Sequence, residues 1–127
     1  MVDALVDTSV IVDIVRGYQP ALQWSQTKTE NVGVTHFVWL EIIQGAANKS
    51  AQENAITLLR DFRMVPIAPQ DTAWATTQLI KVSLSHNVDA LDALIAAPAA
   101  RLQVPLYTRN LKHFQPLLGK LAVVPYT

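Results

Sequence analysis

The sequence contains no cysteine, which excludes disulfides and thiolate metal sites and fits a reducing compartment. It also lacks any run near the roughly 18 apolar residues of a membrane span, and its start shows no basic region followed by a long apolar stretch. A soluble, cytoplasmic protein is the expectation. Net charge is missing as well, because Lys+Arg and Asp+Glu number 10 each. Whole-molecule electrostatics therefore advertise no polyanionic partner, and any nucleic-acid site must be a local patch. Histidine is sparse: His36, His86 and His113 show no two-histidine metal spacing. No linker, repeat or low-complexity tract interrupts the chain.

What is present is apolar. Half of the 127 residues are hydrophobic and only 16% are charged, so disorder is not expected, and the length suits one domain, residues 1–127, with a real core. "ALVD" (4–7) reads as a buried strand, followed by a helix over 9–16 that Thr8 or Ser9 can cap and Gly17 can end. Pro20 suits the first turn of a second helix. "NVGVT" (31–35) reads as a strand, with Thr35 placed to cap the helix "HFVWLEIIQGAA". An amphipathic helix over 50–62, a brief edge strand "MVPIA" carrying a proline, and a long helical pattern from Pro69 come next. A helix from about Asp89 to Leu102, a strand "VPLYT", a short helical turn at "LKHFQPLL" and a last strand "LAVVPY" complete the pattern. Short strands alternating with helices predict an α/β protein, a three-layer α/β/α sandwich around a short, mainly parallel sheet. One feature of this pattern is discordant. Pro98 falls inside the helix from Asp89, removing a hydrogen bond and crowding the Leu94 carbonyl, which predicts a kink or local break near residues 94–98.

In such sheets ligands gather outside the carboxyl ends of the strands. Asp7 lies there, at the end of the first strand. Asp92 falls in the first turn of the helix before "VPLYT", Asn110 follows that strand, and Glu41 interrupts the apolar run Val38 to Ile43. Each has an ordinary explanation. Asp7 can face helix amides, Asp89 and Asp92 are spaced as a capping pair, and Asn110 suits a turn. Asp13, Asp61, Asp71 and Glu53 are read as caps or solvated surface acids.

Together the segments "LVDTSVIVDIVRG", "FVWLEIIQGA", "LDALIAAPAA" and "PLYTRNLKHF" resemble the PIN-domain family, of the kind that includes VapC-type toxin ribonucleases, in order and spacing over residues 5 to 114. The resemblance implies a PIN-like fold and hydrolysis of RNA phosphodiester bonds by a metal-activated water. It matches Asp7, Glu41 and Asp92 to the family's three acids, with Asp7 the central metal ligand, and Asn110 to a fourth position that carries Asp or Asn. Thr8, Ser9 and Thr108 match hydroxyl positions that orient carboxylates and water. Asp13 falls at a variable site and is expected to be solvated.

Three carboxylates on one cleft repel one another, and a divalent cation resolves this. Oxygen ligands without thiolates or paired histidines suit Mg²⁺ or Mn²⁺ rather than zinc. Arg109, Lys112 and His113, beside Asn110, and Arg16 are candidates for contact with phosphate. The expected function is a metal-dependent endoribonuclease, the toxin of a type II toxin–antitoxin pair. Its expected partners are RNA, a small antitoxin that blocks the cleft, and a second copy of the chain. The alternative is a catalytically weak module that keeps the fold and binds a protein. A receiver-type phosphoacceptor ranks low, because "LVDTSV" offers one acid where such a site needs a pair.

Overall fold

A computed structural model describes residues 1–127. Its five strands are β1 (Ala4–Val6), β2 (Val32–Val34), β3 (Arg63–Met64), β4 (Leu106–Tyr107) and β5 (Ala122–Val123). They form one sheet in the order β3-β2-β1-β4-β5, with every pairing parallel. Seven α-helices connect them: α1 (Thr8–Val15), α2 (Gln19–Thr27), α3 (His36–Gly45), α4 (Lys49–Leu59), α5 (Pro69–Val82), α6 (Ala90–Leu102) and α7 (Leu111–Leu118). A 3₁₀ turn, Gly119–Leu121, leads into β5.

The strand order fixes where the helices go. From β1 the chain steps to β2 and then β3, always in one direction, and it then returns past β1 to β4 and β5. Right-handed crossovers place helices on opposite faces when the direction of travel reverses. The contacts agree: α1, α2, α3 and α4 pack among themselves, and α5, α6 and α7 do the same. The sheet is therefore sandwiched between two helical layers, and its switch point lies between β1 and β4.

Burial on both faces explains why the central strands are apolar throughout. Ala4, Leu5 and Val6 are inaccessible, as are Val34 and Leu106. Gly33 in β2 is a packing requirement, because a Cβ there would lie 2.7 Å from Val65 Cγ2 and 2.8 Å from Val2 Cγ1. At the end of α1, Gly17 adopts φ +77°, and its N–H donates to the Ile14 carbonyl, as the helix-ending role requires.

Several expectations need correction. Asp7, rather than Thr8 or Ser9, caps α1, its carboxylate accepting from the Ser9 amide. Thr35 stands at the cap position of α3 but makes no capping bond, and its buried hydroxyl has no partner. The terminal strands are shorter than their apolar runs, and "LKHFQPLL" is a full helix, α7, with Pro116 inside it. The break expected at Pro98 is absent, since α6 runs without interruption to Leu102. Ala93, Ile95, Ala96, Ala97, Pro98 and Ala99 are all buried, so packing on the neighbouring helices holds the backbone helical despite one missing donor.

Asp71 is a cap, as one of the ordinary explanations had it, but it is not solvated. Its side chain is 1% exposed. It accepts from the Ala68 amide at 2.8 Å and from Arg101 Nε at 2.9 Å and Nη2 at 3.2 Å. Arg101 also donates to the Pro66 carbonyl at 3.1 Å. This bidentate pair joins the start of α5 to the end of α6, and each oxygen of the buried carboxylate has a donor.

Candidate active site

The site follows from the switch point. There the loops after β1 and β4 diverge, leaving a crevice at the carboxyl edge of the sheet. Asp7 ends β1, and its amide donates to the Tyr107 carbonyl at 3.0 Å, which extends the β1–β4 pairing by one residue. The side chain is only 4% exposed. Its Oδ1 accepts from Ser9 N at 2.9 Å and Ser9 Oγ at 2.5 Å, and its Oδ2 accepts from Thr108 Oγ1 at 2.8 Å. Burial pushes the carboxyl up to about 6, outweighing the hydrogen bonds from Ser9, Thr108 and Val10 that pull it down.

Glu41, on α3, accepts a short hydrogen bond at Oε1 from the Thr8 hydroxyl. Asp92 and Asp89 form the reciprocal pair that their spacing suggests. Asp89 Oδ1 accepts from Asp92 N at 2.9 Å, and Asp92 Oδ2 accepts from Asp89 N at 3.2 Å. The same Asp92 oxygen lies 3.1 Å from His113 Nδ1. Asp92 is held above the usual carboxylate range, chiefly by burial and further by the charges of Asp89 and Glu41, against the Asp89 amide and His113. Asn110 occupies the cap position of α7 but makes no capping bond, which leaves its amide available.

Asp7, Glu41, Asp92 and Asn110 line one depression of about 250 Å³, together with Thr8, Ser9, Asp89 and His113. The four residues singled out in the sequence are thus brought together from four separate segments. No three of the histidine, aspartate and glutamate side chains stand close enough to form a closed cation cage. The donor set nonetheless suits a hard cation: four carboxylates and an amide face the depression, with His113 the one basic side chain among them. Asp7 in particular is a buried acid held only by neutral donors.

The cations expected near phosphate are dispersed. Lys112 borders a separate polar depression with His86 and Asn87, on the far side of His113. Arg16 lies at the rim of an apolar groove between α1, α3 and α4, lined by Val12, Ile42 and several alanines. That groove shares Thr8 and Glu41 with the acidic depression. The Arg109 side chain turns away. Its Nη1 lies 3.2 Å from Asp13 Oδ2, and its guanidinium sits 5.1 Å from the ring of Tyr18 and 5.0 Å from that of Tyr126. Asp13 is therefore not the solvated acid its position suggested, since it also accepts from Tyr126 Oη at 2.7 Å. Burial, and next the bond to Asp13, raise the Tyr126 hydroxyl well above its ordinary range and keep it a donor.

Two residues of the depression carry more than the sequence assigned them. Asp89 lines it as well as capping α6, and His113 meets Asp92 rather than standing free. The spacing of His113, three residues beyond Asn110 in a helix, puts both on one face and is the sequence signal for it.

The PIN domain model matches residues 4–115. No curated protein matches the chain. Among solved structures, a toxin–antitoxin complex from Klebsiella pneumoniae is 26% identical and superposes with a TM-score of 0.74, covering 97% of this chain and 98% of that one. VapBC-1 from nontypeable Haemophilus influenzae shares the fold at 18% identity and a TM-score of 0.70, over 90% of this chain and 91% of its own. VapC20 of Mycobacterium tuberculosis, a sarcin-ricin loop cleaving toxin, does so at 18% identity and 0.66, over 83% and 88%. With the family pattern running through every segment that builds the acidic depression, this chain belongs to the PIN domain family.

Proposed function

We propose that this PIN domain is a Mg²⁺- or Mn²⁺-dependent endoribonuclease that hydrolyses RNA phosphodiester bonds, and that it acts in the cytoplasm as the toxin of a type II, VapBC-type toxin–antitoxin pair. The observation that carries this reading is the gathering of Asp7, Glu41, Asp92 and Asn110 in one depression at the switch point of the sheet. Asp7, Asp92 and Glu41 would hold the cation. When bound, it supplies a water of lowered pKa and neutralises charge at a phosphoryl oxygen.

The chain's own residues do the rest. Ser9 and Thr108 fix the two oxygens of Asp7, and Thr8 fixes one oxygen of Glu41 and leaves the other free for the cation or its water. Asn110 is neutral, so it orients water or substrate and adds no charge. Arg16, at the rim of the depression's neighbouring groove, and Lys112, bordering a separate depression, would meet the RNA backbone only where it runs beyond the acids.

The apolar groove that meets the depression at Glu41 and Thr8 supports the partner part of this reading. Its small side chains suit an apolar segment of an antitoxin, lying where it would also cover the acids. A homodimer belongs to the same reading.

Incubating the purified protein with cellular RNA tests the catalytic part. Cleavage is expected with Mg²⁺ or Mn²⁺, and it should be abolished by EDTA and by Asp7→Asn. Equal cleavage by wild type and Asp7→Asn would remove these acids from the mechanism. No cleavage by either would favour the interaction module.

A further inference from the structure

Arg109 sits between two residues that serve the site, yet its side chain points elsewhere. The backbone on either side of it explains why that matters. Its amide donates to Ser9 Oγ at 3.0 Å, and Ser9 Oγ donates to Asp7 Oδ1 at 2.5 Å. The next amide, that of Asn110, donates to Thr108 Oγ1 at 2.9 Å, and Thr108 Oγ1 donates to Asp7 Oδ2 at 2.8 Å. Both oxygens of Asp7 are thus held by hydroxyls that are themselves held by successive amides of one short turn. β4 ends at Tyr107 and α7 begins at Leu111, and backbone bonds tie the turn at its two ends. There Thr108 N donates to the Val123 carbonyl at 2.9 Å, and the Asn110 carbonyl accepts from the His113 and Phe114 amides. At its middle residue, Arg109, the amide meets only the Ser9 hydroxyl.

The guanidinium adds an anchor at that middle residue. It meets Asp13 on α1 at 3.2 Å and lies over the rings of Tyr18, before α2, and Tyr126, after β5. Those partners are in turn tied to each other. Tyr126 Oη donates to the same Asp13 oxygen at 2.7 Å, Tyr18 N donates to the Asp13 carbonyl at 3.0 Å, and Tyr18 Oη donates to the Thr127 carbonyl at 2.7 Å. A planar cation set against two neighbouring rings at once, with its charge met by a carboxylate, is a site for arginine rather than lysine.

We propose that Arg109 is a positioning residue: clamped by Asp13, Tyr18 and Tyr126, it fixes the 108–110 turn that orients Asp7 and presents Asn110. The clamp makes the segment after β5 part of the active-site framework, although none of its residues lines the depression. This inference rests on the nuclease reading for the purpose of the site, and on the geometry above for the clamp.

Two measurements test it, amide hydrogen exchange and titration with Mn²⁺ alone. Arg109→Ala should speed exchange at positions 109 and 110 about tenfold or more relative to the amides of β1 and β2. It should also weaken Mn²⁺ binding about tenfold, the size of effect seen when ligand-orienting groups are lost. Arg109→Lys should fall between, because an ammonium can meet Asp13 but offers no planar face to the two rings. Tyr126→Phe, which removes one hydroxyl and keeps the ring, should move both readouts the same way by a smaller factor. Loss of RNA cleavage in Arg109→Ala with local exchange and Mn²⁺ affinity unchanged would overturn the proposal and make Arg109 a substrate contact. Uniform acceleration at all amides would overturn it in favour of a fold-wide role. Should the wild type bind no Mn²⁺ and cleave no RNA, the nuclease reading falls, and the exchange ratio alone decides the clamp.

Discussion

At the scale of single residues, Asp7 sets function against stability. It is a buried carboxylate whose donors are neutral, and burial lifts it from 3.8 to about 6. Below about pH 3.8 the folded and unfolded chains both carry its proton, and no penalty applies. As pH rises toward 6, the unfolded chain releases that proton first, so stability falls, and above about 6 the full cost of a buried charge is present. A rise of that size corresponds to about 3 kcal/mol. Asp7→Asn, in EDTA at pH 7–8, should therefore melt higher than wild type by the equivalent of about 1–3 kcal/mol, and the gap should close as pH falls toward 4. Adding Mn²⁺ should raise the melting temperature of wild type only. A variant less stable than wild type at pH 7 in EDTA would refute this account.

Among elements, α5 and α6 are joined by the Asp71–Arg101 pair at the end of α6 remote from Asp92. Arg101→Met leaves a wholly buried carboxylate with one amide donor, and it should destabilise the fold by about 3–5 kcal/mol in chemical denaturation. A loss below about 1 kcal/mol would mean the carboxylate finds water or another donor. Gly33→Ala is the corresponding test of the sheet. The added Cβ meets Val65 and Val2 below 3 Å, and overpacking of this kind should cost about 1–3 kcal/mol.

The order and type of elements were legible in the sequence because apolar periodicity, Pro20, Gly17 and the Asp89–Asp92 spacing are local signals. The strand ends were not, because pairing with neighbours, rather than the apolar run, decides where a strand stops. The cap of α1 was misplaced by one residue, since Asp7, Thr8 and Ser9 all have capping chemistry and only the sheet edge selects among them. Pro98 was over-read, because burial of α6 overrides a local preference.

Over the whole molecule, the four corners of the site were legible only as segments in a family pattern. Spacing along the chain places Asp7 and Asn110 103 positions apart, and nothing local says they share a cleft. The pairing of Asp13 with Arg109, 96 residues away, has no local signal either, and an acid on an exposed helix face is usually solvated. The neutral net charge carries its own prediction. With no lysine or arginine lining the depression, RNA binding by the Asp7→Asn protein in EDTA should show a log–log salt slope no steeper than about −2. A slope of about −5 or beyond, measured by fluorescence anisotropy from 50 to 200 mM salt, would mean that the RNA meets an extended basic track outside the depression and would refute this prediction.

The reversal of the chain at β1 also governs the timing of assembly. Asp7 is made early, but the hydroxyl on its second oxygen comes 101 residues later and the Tyr126 end of the clamp later still. During vectorial synthesis the strands and helices made first can collapse first, while the cleft waits for residues 108 to 126 to emerge. A copy that stops between Asp92 and Thr108 would carry the acids and lack the turn that aims them, so the order of the site would depend on residues made long after its first acid.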